Sequence, residues 1–351
     1  MQRHIPEPAA AMSLKKLWTL IRYALVCVSA LGSLHCQPES RRLPYIPAKL
    51  ENWPQPYRGV PGLTAHVLVS GFVELPQAWL YQRGSWMRRV QLPVPVLVLQ
   101  HPSKGVIVVD SGLAREVAPQ RVWPRSLWLP TEGFVSAQAG DELPQRLRQA
   151  GIRPEAVRWV IQTNLRAVRS GGLRHFSGAQ VVVNQAELDY ASRQTIAYDP
   201  ELWAEVRQWH LVDFRVAQPL GTFPAAVDLL GDGSVFVIDG RGPTPGTIMV
   251  LARLHHRALL WAGDVVPTHA GLRSAAEPQG LWDANQWWVR FWQAKRLRDL
   301  APQVEILPAF DTSGYEGKSP ALRFHPLPTP VASPARRPTP DRWERIIPRP
   351  W

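Results

Sequence analysis

The stretch that most constrains this chain runs from Val157 to Gly172. It opens with Val-Arg-Trp-Val-Ile, continues through Gln162-Thr163-Asn164-Leu165-Arg166-Ala167-Val168-Arg169-Ser170, and closes on a double glycine. A short run that is apolar apart from Arg158 reads as a buried strand, and the polar residues and glycines after it read as a turn. Just upstream, Leu143, Leu147 and Ala150 recur at helical spacing. Asp141 stands as a candidate N-cap and Gly151 as the natural stop, so a helix is expected over residues 141–150. Gly151-Ile152-x-Pro154 then leads into the strand. Helix, strand and turn in this order belong to a mixed α/β fold.

The same alternation extends in both directions. Residues 64–73 alternate loosely and residues 94–99 form a buried run broken by Pro95. His101-Pro102-Ser103-Lys104-Gly105 makes a turn into Val106-Ile107-Val108-Val109, which ends in Asp110-Ser111-Gly112. Between the first strands, residues 79–89 are rich in aromatic and basic side chains, including Trp79 and Trp86, and are expected to form a loop on the active face. Farther on, residues 180–183 read as a strand and 185–192 as a helix. Residues 191–223 read as a partly helical connection, and 228–237 as a hairpin around Gly231-Asp232-Gly233. Gly242-Pro243-Thr244-Pro245-Gly246 follows. Strands are expected at 248–251 and 258–262, the latter running into Gly263-Asp264. A helix around 288–300 and a strand at 304–307 complete the set.

The 351 residues suffice for one large α/β domain or two small ones, and 45% apolar content allows a substantial core. The 35 prolines gather toward the ends. Residues 17–34, apolar apart from Arg22 and a few Ser and Thr, follow a basic start (Lys15, Lys16), and their uninterrupted run from Tyr23 to Leu34 is about 12 residues, the length of a signal-peptide core and not of a spanning helix. Cys36 directly follows Ser33-Leu34-His35. Lipidation at Cys36, simple cleavage and an uncleaved anchor all stay open. Residues 1–36 are therefore expected to export the protein to the periplasm or the cell envelope, with membrane contact through this segment. Residues 37–62 read as a Pro-rich tether, 63–317 as the folded domain and 318–351 as an extended, Pro-rich basic tail. Of the net charge of +12, +3 lies in residues 1–36 and +5 in the tail (seven Lys/Arg against Asp341 and Glu344), so the folded part is only mildly basic. That distribution argues against a dedicated nucleic-acid groove. Both cysteines, Cys27 and Cys36, fall in the N-terminal segment, which leaves the body without a disulfide framework or a thiolate metal site.

Taken together, the turn after Ile161, the strand pair ending in Asp110-Ser111-Gly112, the Asp228 to Ser234 hairpin, the Gly-x-Thr-Pro-Gly run and Asp264 resemble the metallo-β-lactamase fold. Within it they are most similar to the branch containing N-acyl-homoserine lactone lactonases. The resemblance implies a four-layer αββα sandwich. In that family the turn carries Thr-His-x-His-x-Asp-His-x-Gly-Gly, and its four ligand positions fall here on Asn164, Arg166, Val168 and Arg169. The next two ligand positions fall on Pro243 and Phe310. Asp264 matches the bridging carboxylate and Asp110 an outer-shell one. The family binds zinc or iron, which lowers the pKa of a bound water to about 7. Asn is a poor ligand, Val is none, and Arg does not lose its proton. No metal cofactor is therefore expected, zinc through a displaced site being the alternative. His175, His255, His256 and His269 read as loop histidines. His255 and His256, if adjacent on a strand, would face opposite ways.

Two readings of function follow. The first is a binding or accessory protein on this scaffold, taking an anionic or amphipathic small molecule through Arg166, Arg169, Asn164 and loop Trp residues. In its pocket Arg166 or Arg169 pairs with Asp264 and supplies the positive charge a metal would bring. The second is a lactonase-type hydrolase of an ester or lactone, with Asp264 as base, Asp110 nearby and the arginines holding an oxyanion.

Overall fold

A computed structural model describes residues 42–45, 48–114, 134–136, 141–194, 197–313 and 322–324. The chain divides into Met1–Leu43 and Pro44–Trp351, and every strand and helix described lies in the second unit. The expected export segment, with Cys27 and Cys36, and nearly all of the basic tail fall outside the described residues. Among those described, no helix is long and apolar enough to cross a membrane.

Among the described residues, fourteen strands form two sheets. They are β1 (Thr64–Pro76), β2 (Arg89–His101), β3 (Gly105–Val109), β4 (Phe134–Ser136), β5 (Val157–Ile161), β6 (Gln180–Asn184), β7 (Trp209–Val212), β8 (Gln218–Leu220), β9 (Phe223–Asp228), β10 (Val235–Asp239), β11 (Ile248–Arg253), β12 (Ala258–Gly263), β13 (Val304–Pro308) and β14 (Leu322–Phe324). The first sheet runs in the order β14-β1-β2-β3-β5-β6-β7, with β4 paired to β1. The second runs β13-β12-β11-β10-β9-β8. Helices α1 (Leu143–Gln149), α2 (Ala167–Ser170) and α3 (Gln185–Ala191) accompany the first sheet. Helices α4 (His269–Ser274) and α5 (Ala284–Leu300) accompany the second.

Three apolar clusters define four layers. The central one joins the inner faces of both sheets, with Val67, Leu97, Ile107, Val109 and Ile161 meeting Val237, Ile248, Val250 and Trp261. A second lies between the first sheet and its helices, including Leu143, Leu147, Val160 and Val183. The third packs Trp287, Phe291, Ala294 and Leu297 of α5 on Leu251, Leu260 and Ile306. The sandwich is therefore αββα, as the resemblance implies. Pro93 and Pro95 lie inside β2, opposite Phe72 and Val69, where the β1–β2 register shifts. A residue that cannot donate to a ladder is tolerated at such a shift.

Several expectations are corrected in detail. Asp141 is not the N-cap: α1 starts after Glu142, which caps with no side chain, while Gly151 takes the left-handed φ of 75° that ends the helix. Part of the presumed tether is strapped to the second sheet. Glu51 and Gly221 exchange backbone hydrogen bonds at 2.9 and 2.7 Å, and the Tyr57 hydroxyl donates to the carbonyls of Leu254 and Arg257. Trp53 is buried there. The aromatic area of Trp53 and Tyr57 outweighs the Pro-rich composition around them. Leu322–Phe324, within the presumed tail, pairs in parallel with β1 from Ala65 to Val67. Strands β7 and β8 and helix α4 arise where only a connection or nothing was expected.

Asp110 sits between the layers with no exposed surface and a left-handed φ of 59°. Its Oδ1 accepts from the Thr163 amide (2.9 Å) and hydroxyl (2.7 Å), and its Oδ2 from the Trp261 indole (3.0 Å). One carboxylate thus ties β3, the turn after β5, and β12. Trp261→Phe removes a donor to this buried carboxylate and leaves a small void. A loss of about 2–4 kcal/mol is expected, read as a lower urea midpoint at unchanged slope.

Candidate functional site

The turn after β5 is held from both sheets. Thr163 is fixed by Asp110, and its carbonyl accepts from the Ile248 amide of β11 at 2.9 Å. The chain then turns into α2, and the 111–114 segment runs tightly against the double glycine. A Cβ on Gly171 would stand 2.4 Å from the Ala114 nitrogen, and one on Gly172 2.4 Å from the Ser111 carbonyl oxygen. Only glycine permits that approach. The amides of Ser111 and Gly112 both donate to the Arg169 carbonyl, at 2.8 and 3.1 Å. The backbone carrying Asn164, Arg166 and Arg169 therefore has little freedom.

All three side chains converge on Asp264, at the end of β12. Its Oδ1 accepts from Arg169 Nη2 at 2.9 Å and Nε at 3.3 Å. Its Oδ2 accepts from Arg166 Nη1 at 3.1 Å and Asn164 Nδ2 at 3.0 Å. Arg169 is fully buried. Its Nη1 donates to the Ala309 carbonyl at 3.0 Å, and its guanidinium lies 4.2 Å from the centroid of the Phe310 ring. Arg166 also donates from Nη2 to the carbonyls of Pro243 (3.0 Å) and Gly280 (3.2 Å), and its side chain keeps 27% of its surface exposed. Burial by itself raises the pKa of Asp264. The charges of Arg169 and Arg166 and the hydrogen bonds from Arg169 and Asn164 outweigh that and hold it below the usual carboxylate range.

Beside this group lies a cavity of about 310 Å³. Its apolar wall includes Leu75, Trp79, Leu80, Val168, Leu281 and Phe310, and its polar lining includes Arg166, Gln194, Tyr198 and Asp264. The positions singled out in the sequence thus come together. Asp264, Arg166, Val168, Pro243 and Phe310 line the cavity, while Asn164 and Arg169 sit behind it, bonded to Asp264. Asp110 does not join them, since it is buried outside the cavity with its oxygens taken by Thr163 and Trp261. Burial raises its pKa despite Arg169 and those hydrogen bonds. Trp79 lines the cavity, whereas Trp86 stacks edge-on against it at 6.2 Å and is itself exposed.

Glu187, Tyr198 and Gln194 were missed in the sequence. Glu187 is fully buried. Its Oε1 accepts from the Leu165 amide (3.0 Å) and the Tyr198 hydroxyl (3.2 Å), and its Oε2 accepts from the Thr244 hydroxyl. It clasps the turn, the Gly242–Gly246 loop and the 197–198 segment to one another. Desolvation raises its pKa in spite of these donors and of Arg166. The signal was present, a Glu in the first turn of α3, but a lone acid at a helix start reads as a solvated cap.

The donors here do not fit the transition metal that the resemblance implies. A zinc site takes three or four N, O or S ligands. Among the described residues no group of three or more His, Cys, Asp or Glu side chains converges. The one carboxylate at the spot has both oxygens engaged by cationic or amide donors, and a divalent ion there would face two guanidiniums. His175 is exposed, and His269 lies against Asp311 at 3.3 Å. His255 and His256 are not on a strand: they share the exposed turn between β11 and β12, with ring centroids 3.9 Å apart.

No family model matches the chain. It is 28% identical over 171 residues to the N-acyl homoserine lactonase AttM of Azorhizobium caulinodans, a match covering 47% of this chain and 61% of the relative. The chain thus spans about three fifths of that relative's length. Among solved structures, a variant of B. thuringiensis AiiA with N-decanoyl-L-homoserine bound at its active site superposes with a TM-score of 0.61 at 14% identity, covering 71% of this chain and 93% of that one. A hydrolase described as in the β-lactamase superfamily, AbOPH, superposes with a TM-score of 0.51 at 15% identity, covering 73% and 90%. The fold is that of the metallo-β-lactamase superfamily, and the likeness in sequence is to its lactonases.

Asp264→Asn leaves two largely buried guanidiniums without their counter-charge and is expected to cost about 3–5 kcal/mol at pH 7. Asp264 has a depressed folded pKa, so its stabilisation is complete above the unfolded carboxylate range and fades as pH falls below about 4. The deficit of Asp264→Asn should shrink there. Glu187 has the opposite sign. Its raised folded pKa makes the fold lose stability as pH climbs from about 4.3 toward that value. Glu187→Gln should therefore gain on the natural protein between pH 4 and 7. Urea titrations across pH 3–7 read both.

Proposed function

We propose that this chain is an exported, metal-independent binding protein built on a hydrolase scaffold, and that its ligand is an amphipathic small molecule with an anionic head. One observation carries the reading: two guanidiniums and an amide hold both oxygens of Asp264, at the centre of the ligand positions the resemblance implies. A metal would neutralise that buried carboxylate in a metal-binding relative; here Arg169 and Arg166 do so, and the metal-binding side chains have been lost.

The chemistry of the cavity supports the ligand class. Two guanidiniums surround one ionised carboxylate, which leaves an excess positive charge whose accessible part is Arg166. Tyr198 and Gln194 add hydrogen-bonding groups beside it, and Leu75, Leu80, Leu281 and Phe310 provide an apolar wall. A carboxylate or carbonyl head on Arg166 with an acyl chain along that wall satisfies both halves. N-decanoyl-L-homoserine, bound by the AiiA variant, has this form. The apolar run at residues 23–34 supports export.

Sequence similarity to lactonases favours a second reading, in which the same cavity hydrolyses an ester or lactone. Two measurements separate the readings. Elemental analysis and zinc titration of the purified full chain are expected to find no stoichiometric zinc or iron, and chelator is expected to leave Tm unchanged; a bound equivalent of either metal rejects the proposal. Calorimetric titration is expected to show N-decanoyl-L-homoserine binding tighter than its uncharged lactone, with no turnover of the lactone. Arg166→Gln should weaken acid binding about 10–100-fold, the range of a charge-assisted hydrogen bond worth about 1.5–3 kcal/mol.

A further inference from the structure

The aromatic and basic loop between β1 and β2 is only partly used by the cavity. Its inner end, Trp79, lines the cavity, and its outer end is exposed to solvent. Trp86 is 47% exposed and Met87 85% exposed. Arg83 and Arg88 flank them, also exposed, and neither makes an ion pair among the described residues. Residues 82–89 contain no acid, and of their three arginines Arg89 pairs with Glu74 of β1 at 3.8 Å, which leaves Arg83 and Arg88 as the cations of the tip. The nearby Glu277 is engaged by Gln82, whose amide donates to the Glu277 carbonyl at 2.9 Å and whose side chain donates to its carboxylate. Farther along, the Gln279 amide donates to the Trp79 carbonyl at 3.1 Å. Trp282, just past the cavity-lining Leu281, is exposed as well, at 48%.

We infer that residues 82–88 form a finger that docks this face on an anionic lipid bilayer, setting the cavity mouth at the lipid surface. A methionine exposed over most of its surface and a tryptophan exposed over about half leave apolar area in water, whereas an interface of headgroups and acyl chains accommodates both. Flanking guanidiniums without counter-ions complement anionic headgroups, each contributing about 1 kcal/mol, or about fivefold in partitioning. Trp86 rests on Trp79, so the docking tip and the cavity wall are one continuous aromatic unit. An amphipathic ligand would reach the apolar wall from the bilayer without crossing water. The binding surface depends on the finger alone and stands whatever the cavity holds.

The test is co-sedimentation of the full chain with vesicles of phosphatidylglycerol and phosphatidylcholine, comparing the natural protein with Arg83→Gln/Arg88→Gln and Trp86→Ser/Met87→Ser. Both double variants are expected to weaken partitioning onto phosphatidylglycerol at least fivefold with circular dichroism unchanged, and the arginine pair with Tm unchanged as well. The arginine effect should vanish at high salt. Vesicles with brominated acyl chains should quench the natural protein more than Trp86→Phe, the difference isolating one of the 16 tryptophans. Undiminished partitioning in both variants would assign membrane contact to the terminal segments and overturn the inference. So would equal quenching of the natural protein and Trp86→Phe, since a loop that meets an acidic protein would not insert.

Discussion

The ion-pair cluster on Asp264 is the interaction on which this architecture turns. A buried carboxylate is costly to desolvate, and it persists only where matched charge and hydrogen bonds repay that penalty. Here Arg169, Arg166 and Asn164 all descend from one turn of the first sheet, while Asp264 closes a strand of the second. The cluster is therefore an electrostatic stitch across the sandwich at the edge where the cavity opens. Phe310 completes it from a third direction, its ring face lying under the guanidinium of Arg169.

Around this stitch two buried acids play a different part. Asp110 and Glu187 are surrounded mainly by backbone amides, hydroxyls and an indole, with an arginine near but not in contact. Desolvation wins for them and charge wins for Asp264, although all three are buried. The contrast follows from what each oxygen touches. Neutral donors satisfy geometry without supplying the opposite charge, and guanidiniums supply both. Three acids of one region thus have different electrical roles: two clasp segments together and one balances cations.

Much of this organisation was legible in the residues. The strand Val157–Ile161 appears as read, because a short apolar run bounded by a helix stop and a turn has few alternatives. The convergence of Asn164, Arg166, Arg169, Pro243, Phe310 and Asp264 was legible only through the resemblance, since no local pattern reveals that residues 140 positions apart meet. Strands β7 and β8 were hidden because they are three or four residues long and take their partners from neighbouring strands. Trp53 and Tyr57 were hidden among prolines. The pairing of His255 with His256 was misread because a turn, and not a strand, carries them. Glu187 was missed because burial of a single acid depends on distant Thr244 and Tyr198.

Arg169 has a consequence for how such a protein changes over time. Its Nε, Nη1 and Nη2 atoms are all committed and its side chain is wholly enclosed. Exchanging it alone strands a carboxylate, and exchanging Asp264 alone strands two cations. Either intermediate sacrifices several kcal/mol out of a typical total of about 5–15. Exchange of this cluster for any other arrangement therefore requires coupled substitutions, since independent single steps are not equal in stability. The arrangement acts as a ratchet, in which stability guards the present chemistry against drift in either direction.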